Sequence, residues 1–291
     1  MRLVATLLVR DEVDVVAATI EYHLAQGVDL VLVTDNGSVD GTREVLAEYE
    51  HEGVVRVRDE PSHDYRQSEW VTSMARDAAR LGADWVVNLD ADEFWAARDS
   101  GATMREVLDG VPPQYGRVVT RRQDLVGRAV GAGAWPRRLV WRDTQTVSSR
   151  GTPLGPKVAH RADPDVVVPQ GNHDAHGPRV GPPLPLDPLI VRHVPLRTFA
   201  QFERKIVNGG SAYESNPDLP VTLGWHWRED YATFHAGGLQ AVYRSRSMTP
   251  RRLTAGLVRR RIVRDTSLHD GLQSLVGRAV RPDLLRRVLD G

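Results

Sequence analysis

The first half of the chain alternates short apolar runs with segments whose apolar residues recur at helical spacing. Such runs predict buried strands, and the segments between them predict amphipathic helices. The predicted strands are 2–9, 28–34, 54–58 and 84–89, and the predicted helices lie around 16–24, 45–49 and 70–81. Asp40 is the predicted N-cap of the second helix. Strand and helix alternating in this way indicate an α/β fold with a mostly parallel sheet flanked by helices on both faces.

The pattern changes at about residue 116 to short strands separated by loops rich in proline and glycine. Strands are predicted at 116–122, 137–142, 156–161 and 189–194, and a helix is predicted near 198–210. We therefore expect a mixed-sheet second half. The predicted organisation is one domain over 1–240, with halves at 1–115 and 116–240, and a C-terminal helical extension over 241–291.

Polar segments follow each of the first four predicted strands. They read "RDE", "DNGSVDGT", "DEPSHDYR" and "DADEF" in chain order. In open α/β sheets, ligands bind beyond the carboxyl ends of the strands. The four segments are therefore predicted to meet at one edge of the sheet and form a site there.

Composition narrows the choice of partner and compartment. Lysine plus arginine and aspartate plus glutamate both number 38, so no net field attracts nucleic acid. The chain has no cysteine, which excludes disulfides and thiolate metal sites. Charged residues at 10–12 interrupt the apolar start before a signal peptide is formed, and no apolar run reaches membrane-spanning length. A cytoplasmic protein is expected.

The carboxylates of "DADEF" stand directly after a buried apolar run. Burying them is costly unless charge or hydrogen bonds compensate, and a divalent cation with oxygen ligands does so. We expect Asp92 to face such a metal and Asp90 to reach a ribose or a metal-bound water. The role of Glu93 stays open, and Phe94 and Trp95 are expected to anchor the turn.

The segment "DNGSVDGT" has two interpretations. Its composition suits a turn that begins a helix, which needs no ligand. Alternatively, Asp35 at the end of the second strand accepts hydrogen bonds from a base or a sugar. A calcium loop is disfavoured, because Ala47 stands where the twelfth position requires glutamate.

These motifs, in this order, resemble glycosyltransferase family 2. The residues that carry the resemblance are "LLVRDEVDVVAATIEYHLAQGVDLVLVTDNGSVDGT" and "ADWVVNLDADEF", with looser similarity in "GPKVAHR", "GNHDAHG" and "IVRHVPLRTFAQFERKI". The resemblance implies the GT-A fold, a nucleotide-diphosphate sugar donor, with a UDP-sugar expected, a Mn²⁺ or Mg²⁺ cofactor and an inverting reaction. It also makes 1–115 the donor-binding half and 116–240 the acceptor half. Asp11 departs from the asparagine usual in the family.

The resemblance assigns roles to individual residues. Asp35 would recognise the nucleoside, Arg66 would lie along the diphosphate, and Asp90 and Asp92 would hold metal and ribose. Three further donor-site or metal assignments are a contact from Asp11, a phosphate contact from Lys157 and a late metal ligand from His193.

The acceptor hydroxyl needs a general base on the opposite face of the sugar. Asp174, in "GNHDAHGP", is the preferred candidate. Asp187, Glu229 and Asp230 are rivals, and for each of the four a solvated loop carboxylate is the alternative interpretation.

Two further segments bear on the acceptor. The aromatic-rich "GWHWREDY" can stack on an acceptor sugar, while core packing of Trp225 or Trp227 is the alternative for at least one of them. The basic segment 244–264 is expected to be a solvated helix face or a contact with an anionic membrane or lipid-linked acceptor.

The predicted function is a metal-dependent inverting hexosyltransferase acting on a glycan, lipid-linked or small-molecule acceptor. A same-fold nucleotidyltransferase is one alternative, although the chain lacks the glycine-rich phosphate loop after the first strand. A non-catalytic nucleotide- or glycan-binding module is another. A metal phosphatase is disfavoured, because its D-x-D belongs after the first strand and not the fourth.

Overall fold

The computed structural model describes residues 1–62, 66–99, 101–128, 133–145, 147, 151–215 and 224–291. The strands are β1 Leu3–Val9, β2 Leu30–Asp35, β3 Val55–Asp59, β4 Trp85–Asp90, β5 Glu93–Ala97, β6 Arg117–Thr120, β7 Arg122–Val126, β8 Trp141–Asp143, β9 Lys157–Arg161, β10 Leu189–His193 and β11 Ile262–Arg264. The helices are α1 Val16–Ala25, α2 Thr42–His51, α3 Gln67–Arg80, α4 Met104–Asp109, α5 Trp135–Arg138, α6 Phe199–Ser215, α7 Trp225–His235, α8 Leu239–Arg246, α9 Pro250–Val258, α10 Ser267–Leu275 and α11 Pro282–Asp290.

The larger sheet has the strand order β3-β2-β1-β4-β9-β6. Strands β1 to β4 run parallel, whereas β9 is antiparallel to both β4 and β6. The structure thus confirms the predicted α/β class, with a parallel first half and a mixed continuation. The carboxyl ends of β1, β2 and β4 lie side by side, because Val9 pairs with Asp35 and Leu8 with Asp90.

Apolar side chains of this sheet face two cores. On β1, Leu3, Ala5 and Leu7 join one hydrophobic cluster, and the intervening Val4 joins the other. Helix α1 packs on the first face and α3 on the second. The apolar runs therefore lack simple alternation because both faces of a central parallel strand are buried.

A second sheet, ordered β11-β8-β7-β10-β5, extends the fold beyond the carboxyl end of β4. β5 pairs antiparallel with β10, so His193 lies opposite Glu93, and β10 pairs parallel with β7, so His193 also lies opposite Asp124. The turn at Asp90–Glu93 links the two sheets. Residues far apart in the sequence thereby surround the acidic turn.

The C-terminal segment shares the main core. Leu268 and Leu272 of α10 and Leu285 of α11 belong to the same hydrophobic cluster as β1, and α10 and α11 both contact α1. The strand β11 pairs antiparallel with β8. Residues 262–290 are therefore integrated with the sheets that carry the site.

Three local predictions differ from the structure. The segment 137–142, expected to be a strand, begins inside the short helix α5, where Pro136 fixes a helical first turn and the indole nitrogen of Trp135 donates to the carbonyl of Asp14 at 3.0 Å. Strand β5 was expected to be a turn, and pairing with the distant β10 makes it a strand. Gly41, and not Asp40, is the N-cap of α2, although Asp40 accepts hydrogen bonds from Thr42.

A buried histidine fixes α1 against β5. Nδ1 of His23 lies 2.7 Å from the carbonyl oxygen of Thr19, and Nε2 lies 3.1 Å from the backbone nitrogen of Trp95. Because the amide of Trp95 donates, Nε2 must be an unprotonated acceptor. Burial accordingly lowers the pKa of His23 to about 4, and burial lowers the pKa of His160 to about 4 as well.

These two histidines predict a loss of stability in mild acid. Unfolding returns each pKa toward 6.5, so the unfolded state binds protons that the folded state excludes. The histidines' contribution is complete above pH 6.5 and is lost as the pH falls toward 4. We expect the free energy of unfolding, measured with urea between pH 6 and pH 5, to fall by about 1 kcal/mol per histidine per pH unit.

A matched pair of variants separates these histidines from other titrating groups. His23→Gln should reduce the pH slope, and His176→Gln, at a side chain that is 61% exposed, should leave it unchanged. A slope that is the same in His23→Gln and in the unaltered protein would contradict the explanation.

Candidate active site

The carboxyl ends of the parallel strands bring the predicted polar segments together. Asp11 follows β1, Asp35 ends β2, and Asp90 ends β4. Asp11 and Asp35 are both hydrogen-bonded to Ser38. Of the third segment, Arg66 begins α3, and residues 63–65 lie outside the described residues.

Asp11 joins the first loop to the second and to helix α6. Its backbone has a positive φ of 56°, a conformation that favours asparagine and aspartate among non-glycine residues. One carboxylate oxygen accepts from the amide of Val39 at 2.7 Å, and the other accepts from the side-chain amide of Asn208 at 2.7 Å. Aspartate at this position thus supplies two acceptors that hold the loop and the helix in place.

Asp35 is buried at the end of β2. It accepts hydrogen bonds from the amide and the hydroxyl of Ser38. Burial raises its pKa, and the bonds from Ser38 oppose that rise without cancelling it. A buried carboxylate with a raised pKa gains from an additional donor, such as a base or ribose hydroxyl, that stabilises its charge.

Asp90 is held by two side chains from the second half of the chain. Its carboxylate lies 2.5 Å from Nζ of Lys157 and accepts from the side-chain amide of Asn172 at 3.0 Å. Burial raises the pKa of Asp90, but the charge of Lys157 lowers it more, so the pKa lies below its usual value. Asp90 is therefore ionised and already engaged on both oxygens.

Lys157 is a buried cation that serves two carboxylates. Its ammonium lies 2.5 Å from Asp90 and 3.0 Å from Oε1 of Glu93, and the lysine side chain is only 1% exposed. Arg122 lies 3.2 Å from the same oxygen of Glu93. The sequence-based prediction that Lys157 touches phosphate is not supported, because strand β9 directs its ammonium into the protein beneath Asp90.

Asp92 is surrounded by three positively charged side chains. Its Oδ2 lies 2.5 Å from Nζ of Lys205, 3.5 Å from Nε2 of His193 and 3.9 Å from Nη1 of Arg197. Burial raises the pKa of Asp92, but these positive groups lower it well below its usual value. The carboxylate is therefore fully ionised and is surrounded by donors from β10 and α6.

His193 is oriented by a second carboxylate. Its Nδ1 lies 2.7 Å from Oδ1 of Asp124 on the neighbouring strand β7, which directs Nε2 toward Asp92. Burial lowers the pKa of His193, but the charges of Asp92 and Asp124 raise it to about 9. The imidazole is consequently protonated at neutral pH in the ligand-free site.

Arg197 ties the loop after β1 to the segment after β10. Its guanidinium is completely buried, bonds to Glu12, and lies 2.8 Å from Asp14. Burial lowers the pKa of Arg197, and the surrounding carboxylates raise it above its usual value. The permanently charged guanidinium of Arg197 therefore lies buried beside Asp92 at the bottom of the site.

The described residues supply two protein ligands for a divalent cation. Asp92 offers an oxygen, His193 offers Nε2 once that nitrogen has lost its proton, and Asp124 holds the imidazole in the orientation that metal-binding histidines adopt. Lys205 pairs with Asp92, and its side chain is 30% exposed. Mg²⁺ is commonly held by one or two protein carboxylates, with substrate phosphates and water completing its ligands. Asp92 and His193 therefore fit such a site.

The fit has two limits. Among the described residues, no three carboxylate, imidazole or thiol side chains stand close enough to hold a metal without other ligands. Asp90, predicted from the sequence to be a ligand, is instead occupied by Lys157 and Asn172. Any ion at this site would therefore depend on oxygens brought by the substrate.

Three of the four carboxylates considered as general bases are paired with arginines. Asp174 lies 2.7 Å from Arg117, and burial raises its pKa less than the Ala175 amide and Arg117 lower it. Asp187 lies 2.7 Å from Arg98, and Asp230 lies 2.6 Å from Arg246. Each of these three carboxylates is therefore already engaged by a guanidinium. Glu229 is exposed on α7 and also has a bonding partner.

The sequence did not single out several of the residues that complete the site. Lys205 and Asn208 lie on α6, Asp124 on β7, Arg197 before α6, and Asn172 in the "GNHDAHGP" loop. Lys205 carried one available signal, because the chain contains only two lysines and both bind carboxylates of the acidic turn. Arg66, predicted to contact diphosphate, is half exposed at the start of α3 and lies 3.6 Å from Glu69.

A family model supports the class of enzyme inferred from the motifs. Residues 4–119 match the model of glycosyltransferase family 92, a range that covers less than half of the chain and includes Asp11, Asp35, Asp90 and Asp92. The prediction of a glycosyltransferase is therefore supported at the level of class. The assignment to family 2 is not confirmed, since the model that matches is that of another family.

Solved structures give remote similarity. TarS 1–349 of S. aureus is 12% identical, with 99% of this chain and 87% of that chain covered and a TM-score of 0.42. The same fragment in complex with UDP-GlcNAc is 13% identical, with 99% and 82% covered and a TM-score of 0.43. GalNAc-T7 with UDP, GalNAc and Mn²⁺ is 12% identical, with 81% and 56% covered and a TM-score of 0.36. No curated protein matches the chain, and no helix of the described residues has the length and apolar character needed to cross a membrane.

Proposed function

We propose that this protein is an inverting glycosyltransferase that moves a sugar from a nucleotide-diphosphate donor, a UDP-sugar, to an acceptor hydroxyl. The observation that carries the proposal is the ionised Asp92 with Lys205 and His193 at the carboxyl edge of a parallel sheet. The same edge holds the buried carboxylate of Asp35, which is a hydrogen-bond acceptor. Asp35 and Asp92 both lie in the segment matched by a glycosyltransferase family. Binding of a nucleoside diphosphate requires both a hydrogen-bond acceptor for the nucleoside and cationic groups for the two phosphates.

The donor is expected to lie across the strand ends with its nucleoside toward β2. Asp35 would accept hydrogen bonds from the nucleoside. Lys205 is the suited partner for the diphosphate, since it is part-exposed at the centre of the site, whereas Lys157 and Arg197 are buried. Arg66, half exposed at the start of α3, is a candidate for a second phosphate contact.

The transfer reaction develops negative charge on the departing diphosphate. Fixed cations near the leaving oxygen of the diphosphate stabilise the transition state more than the ground state. Lys205 supplies one such charge, and Arg197 and His193 hold Asp92 in position behind it. When bound by Asp92 and His193, Mn²⁺ or Mg²⁺ would add Lewis-acid stabilisation of the leaving diphosphate. We propose that the transfer inverts the anomeric configuration of the sugar and depends on the metal.

The other functions differ in what they require of the first loop and of the acceptor side. A nucleotidyltransferase needs a glycine-rich phosphate loop after β1, and residues 10–15 contain no glycine. A non-catalytic nucleotide- or glycan-binding module does not need a general base positioned to deprotonate an acceptor hydroxyl. A cytoplasmic location, and contact between the basic segment 244–264 and a membrane or a lipid-linked acceptor, remain predictions.

Binding of nucleotides tests the donor site directly. We expect UDP to raise the melting temperature of the protein and Mn²⁺ to enlarge that rise, because the diphosphate completes the metal's ligands. Lys205→Met should weaken UDP binding by about tenfold or more in titration calorimetry, since a charge-assisted contact with phosphate is lost.

The neighbouring Arg204 provides a matched control. It is a cation one residue away, 42% exposed and 3.9 Å from Asp40. Arg204→Met should leave UDP affinity within about twofold, as expected for a weakly coupled surface charge. Failure of UDP, GDP, ADP, CDP and dTDP alike to shift the melting temperature would contradict a nucleotide-diphosphate site.

A further inference from the structure

We propose that the first turn of α7 forms the acceptor subsite for a saccharide, with Trp225 packing against the sugar ring and His226 receiving the proton of the attacking hydroxyl. The inference rests on the proposed glycosyltransferase function and specifies its acceptor class and its general base. No carboxylate that the sequence suggested for this role is needed.

Helix α6 connects this turn to the donor site. Lys205 and Asn208 on one side of α6 bind Asp92 and Asp11. The next two residues, Gly209 and Gly210, receive side chains of α7, because a Cβ atom at Gly209 would lie 2.6 Å from Trp227 and one at Gly210 would lie 2.3 Å from Tyr231. The start of α7 therefore lies directly beside the residues that close the donor site.

The turn is held in a fixed position. Trp227 packs with the cluster of Phe202, Ile206, Leu239 and Tyr243. Arg228 donates to the carbonyl of Tyr213 at 2.9 Å, and Asp230 accepts two hydrogen bonds from Arg246. Trp227 is thus partly buried against this cluster, and it anchors the turn that carries Trp225.

The surface of the turn suits a saccharide. Trp225 is only partly buried, and His226, which stands between the two tryptophans in the sequence, is exposed. The ring centroid of His226 lies 5.5 Å from that of Trp225 and 5.3 Å from that of Trp227. An aromatic face binds the C–H face of a sugar ring, and an adjacent imidazole offers hydrogen bonds to its hydroxyls.

His226 also has the electrostatic setting of a base. The charged groups that act on its ring are Lys205 of α6, Arg122 of β7, Asp230 of α7 and Arg246 of α8. Partial desolvation of the ring lowers the pKa of His226, Asp230 raises it, and the three cations lower it further, so the pKa lies below 6.5. The ring is neutral at pH 7 and retains a lone pair, unlike the protonated His193.

In the proposed transfer step, every bond that forms or breaks and the transferred proton are accounted for. The acceptor oxygen forms a bond to the anomeric carbon while the bond between that carbon and the diphosphate oxygen breaks, and the diphosphate leaves with the electron pair. The acceptor proton passes to a ring nitrogen of His226. The resulting imidazolium lies near Asp230, which stabilises it, and releases the proton to solvent after product leaves.

The test uses the full chain, a UDP-sugar that the unaltered protein hydrolyses, and a panel of methyl glycosides of glucose, galactose, mannose and N-acetylglucosamine as acceptors. UDP release with and without each glycoside separates transfer from hydrolysis. We expect Trp225→Ala to raise the acceptor KM about tenfold or more, while Trp225→Phe stays within about threefold, because the aromatic face is kept.

His226→Gln should lower kcat for transfer by about 100-fold with little change in acceptor KM, as loss of a general base predicts. In the unaltered protein, kcat/KM should fall in acid only at a pH below 6.5, because the pKa of His226 is lowered from that ordinary value, and this acid limb should vanish in His226→Gln. His235→Gln, an exposed histidine at the other end of α7, is the control.

Two results would overturn the inference. One is a panel in which no glycoside stimulates UDP release although the donor is hydrolysed. The other is Trp225→Ala and His226→Gln variants that behave like His235→Gln. Absence of any donor turnover would count against the proposed function instead, and quenching of tryptophan fluorescence by the glycosides, lost in Trp225→Ala, would then still decide the subsite.

Discussion

Replacing Asp92 with asparagine is expected to lower sugar transfer by about 1,000-fold or more, the scale seen when a principal electrostatic group is removed from an active site. Asparagine keeps the shape of the side chain and removes its charge. Lys205, His193 and Arg197 would then lose the carboxylate that holds them together. The pKa of His193, about 9 in the intact site, should fall because one of the two raising charges is gone.

The variant is to be measured for UDP release, for UDP affinity and, by NMR, for the titration of His193. Asp187→Asn is the control, since Asp187 is also paired with an arginine, Arg98, but on the surface. Circular dichroism should report an intact fold for both variants. Transfer by Asp92→Asn at a rate comparable to Asp187→Asn would refute the central role given to Asp92.

Arg197→Met is expected to cost about 3–5 kcal/mol of unfolding free energy, the range for removing one partner of a buried ion pair. The guanidinium is fully buried and bonds to Glu12 and Asp14. Its removal leaves those carboxylates without the cation that compensates their burial. The burial of Glu12 already raises its pKa, against the charge of Arg197, so that pKa should rise further in the variant.

Urea denaturation at pH 7 measures this effect. Arg137→Met is the matched control, because Arg137 forms a 3.5 Å pair with Asp290 at a guanidinium that is 52% exposed. Its expected cost is under about 1 kcal/mol. A similar loss of stability in both variants would mean that the buried network contributes no more than an ordinary surface pair.

Local patterns in the sequence were sufficient to predict the parallel part of the fold. β1, β2 and β4 are buried along nearly their whole length, so each appears as a continuous apolar run. The edge strand β3 buries only Val55 and alternates valine with arginine. Each intervening helix has a regular apolar stripe. Because parallel strands end at a common edge, the neighbouring positions of Asp11, Asp35 and Asp90 followed from topology.

The second sheet was harder to predict because its pairings are not local. Strand β5 is five residues long, and its partner β10 begins near residue 189. The residues Glu93 to Trp95 therefore had the pattern of a turn after an acidic motif. The pairing of β10 with β5 brings His193 to Asp92, and its pairing with β7 brings His193 to Asp124.

The site's cations were the main feature that sequence reasoning missed. Acidic residues after a buried strand indicated that positive charge is needed there, and a metal was the expected source. In the structure, Lys157 supplies that charge to Asp90, and Lys205 supplies it to Asp92. Neither lysine has a sequence neighbour that reveals its partner, since the contacts span 67 and 113 positions.

The most direct test of the central claim is the rate at which the protein releases UDP from UDP-sugars with Mn²⁺ present, compared with Asp92→Asn under the same conditions. We expect the unaltered protein to release UDP and free sugar slowly from at least one UDP-sugar, and Asp92→Asn to release none above background. A protein that binds UDP-sugars but leaves them intact would be a binding module, and that result would contradict the account.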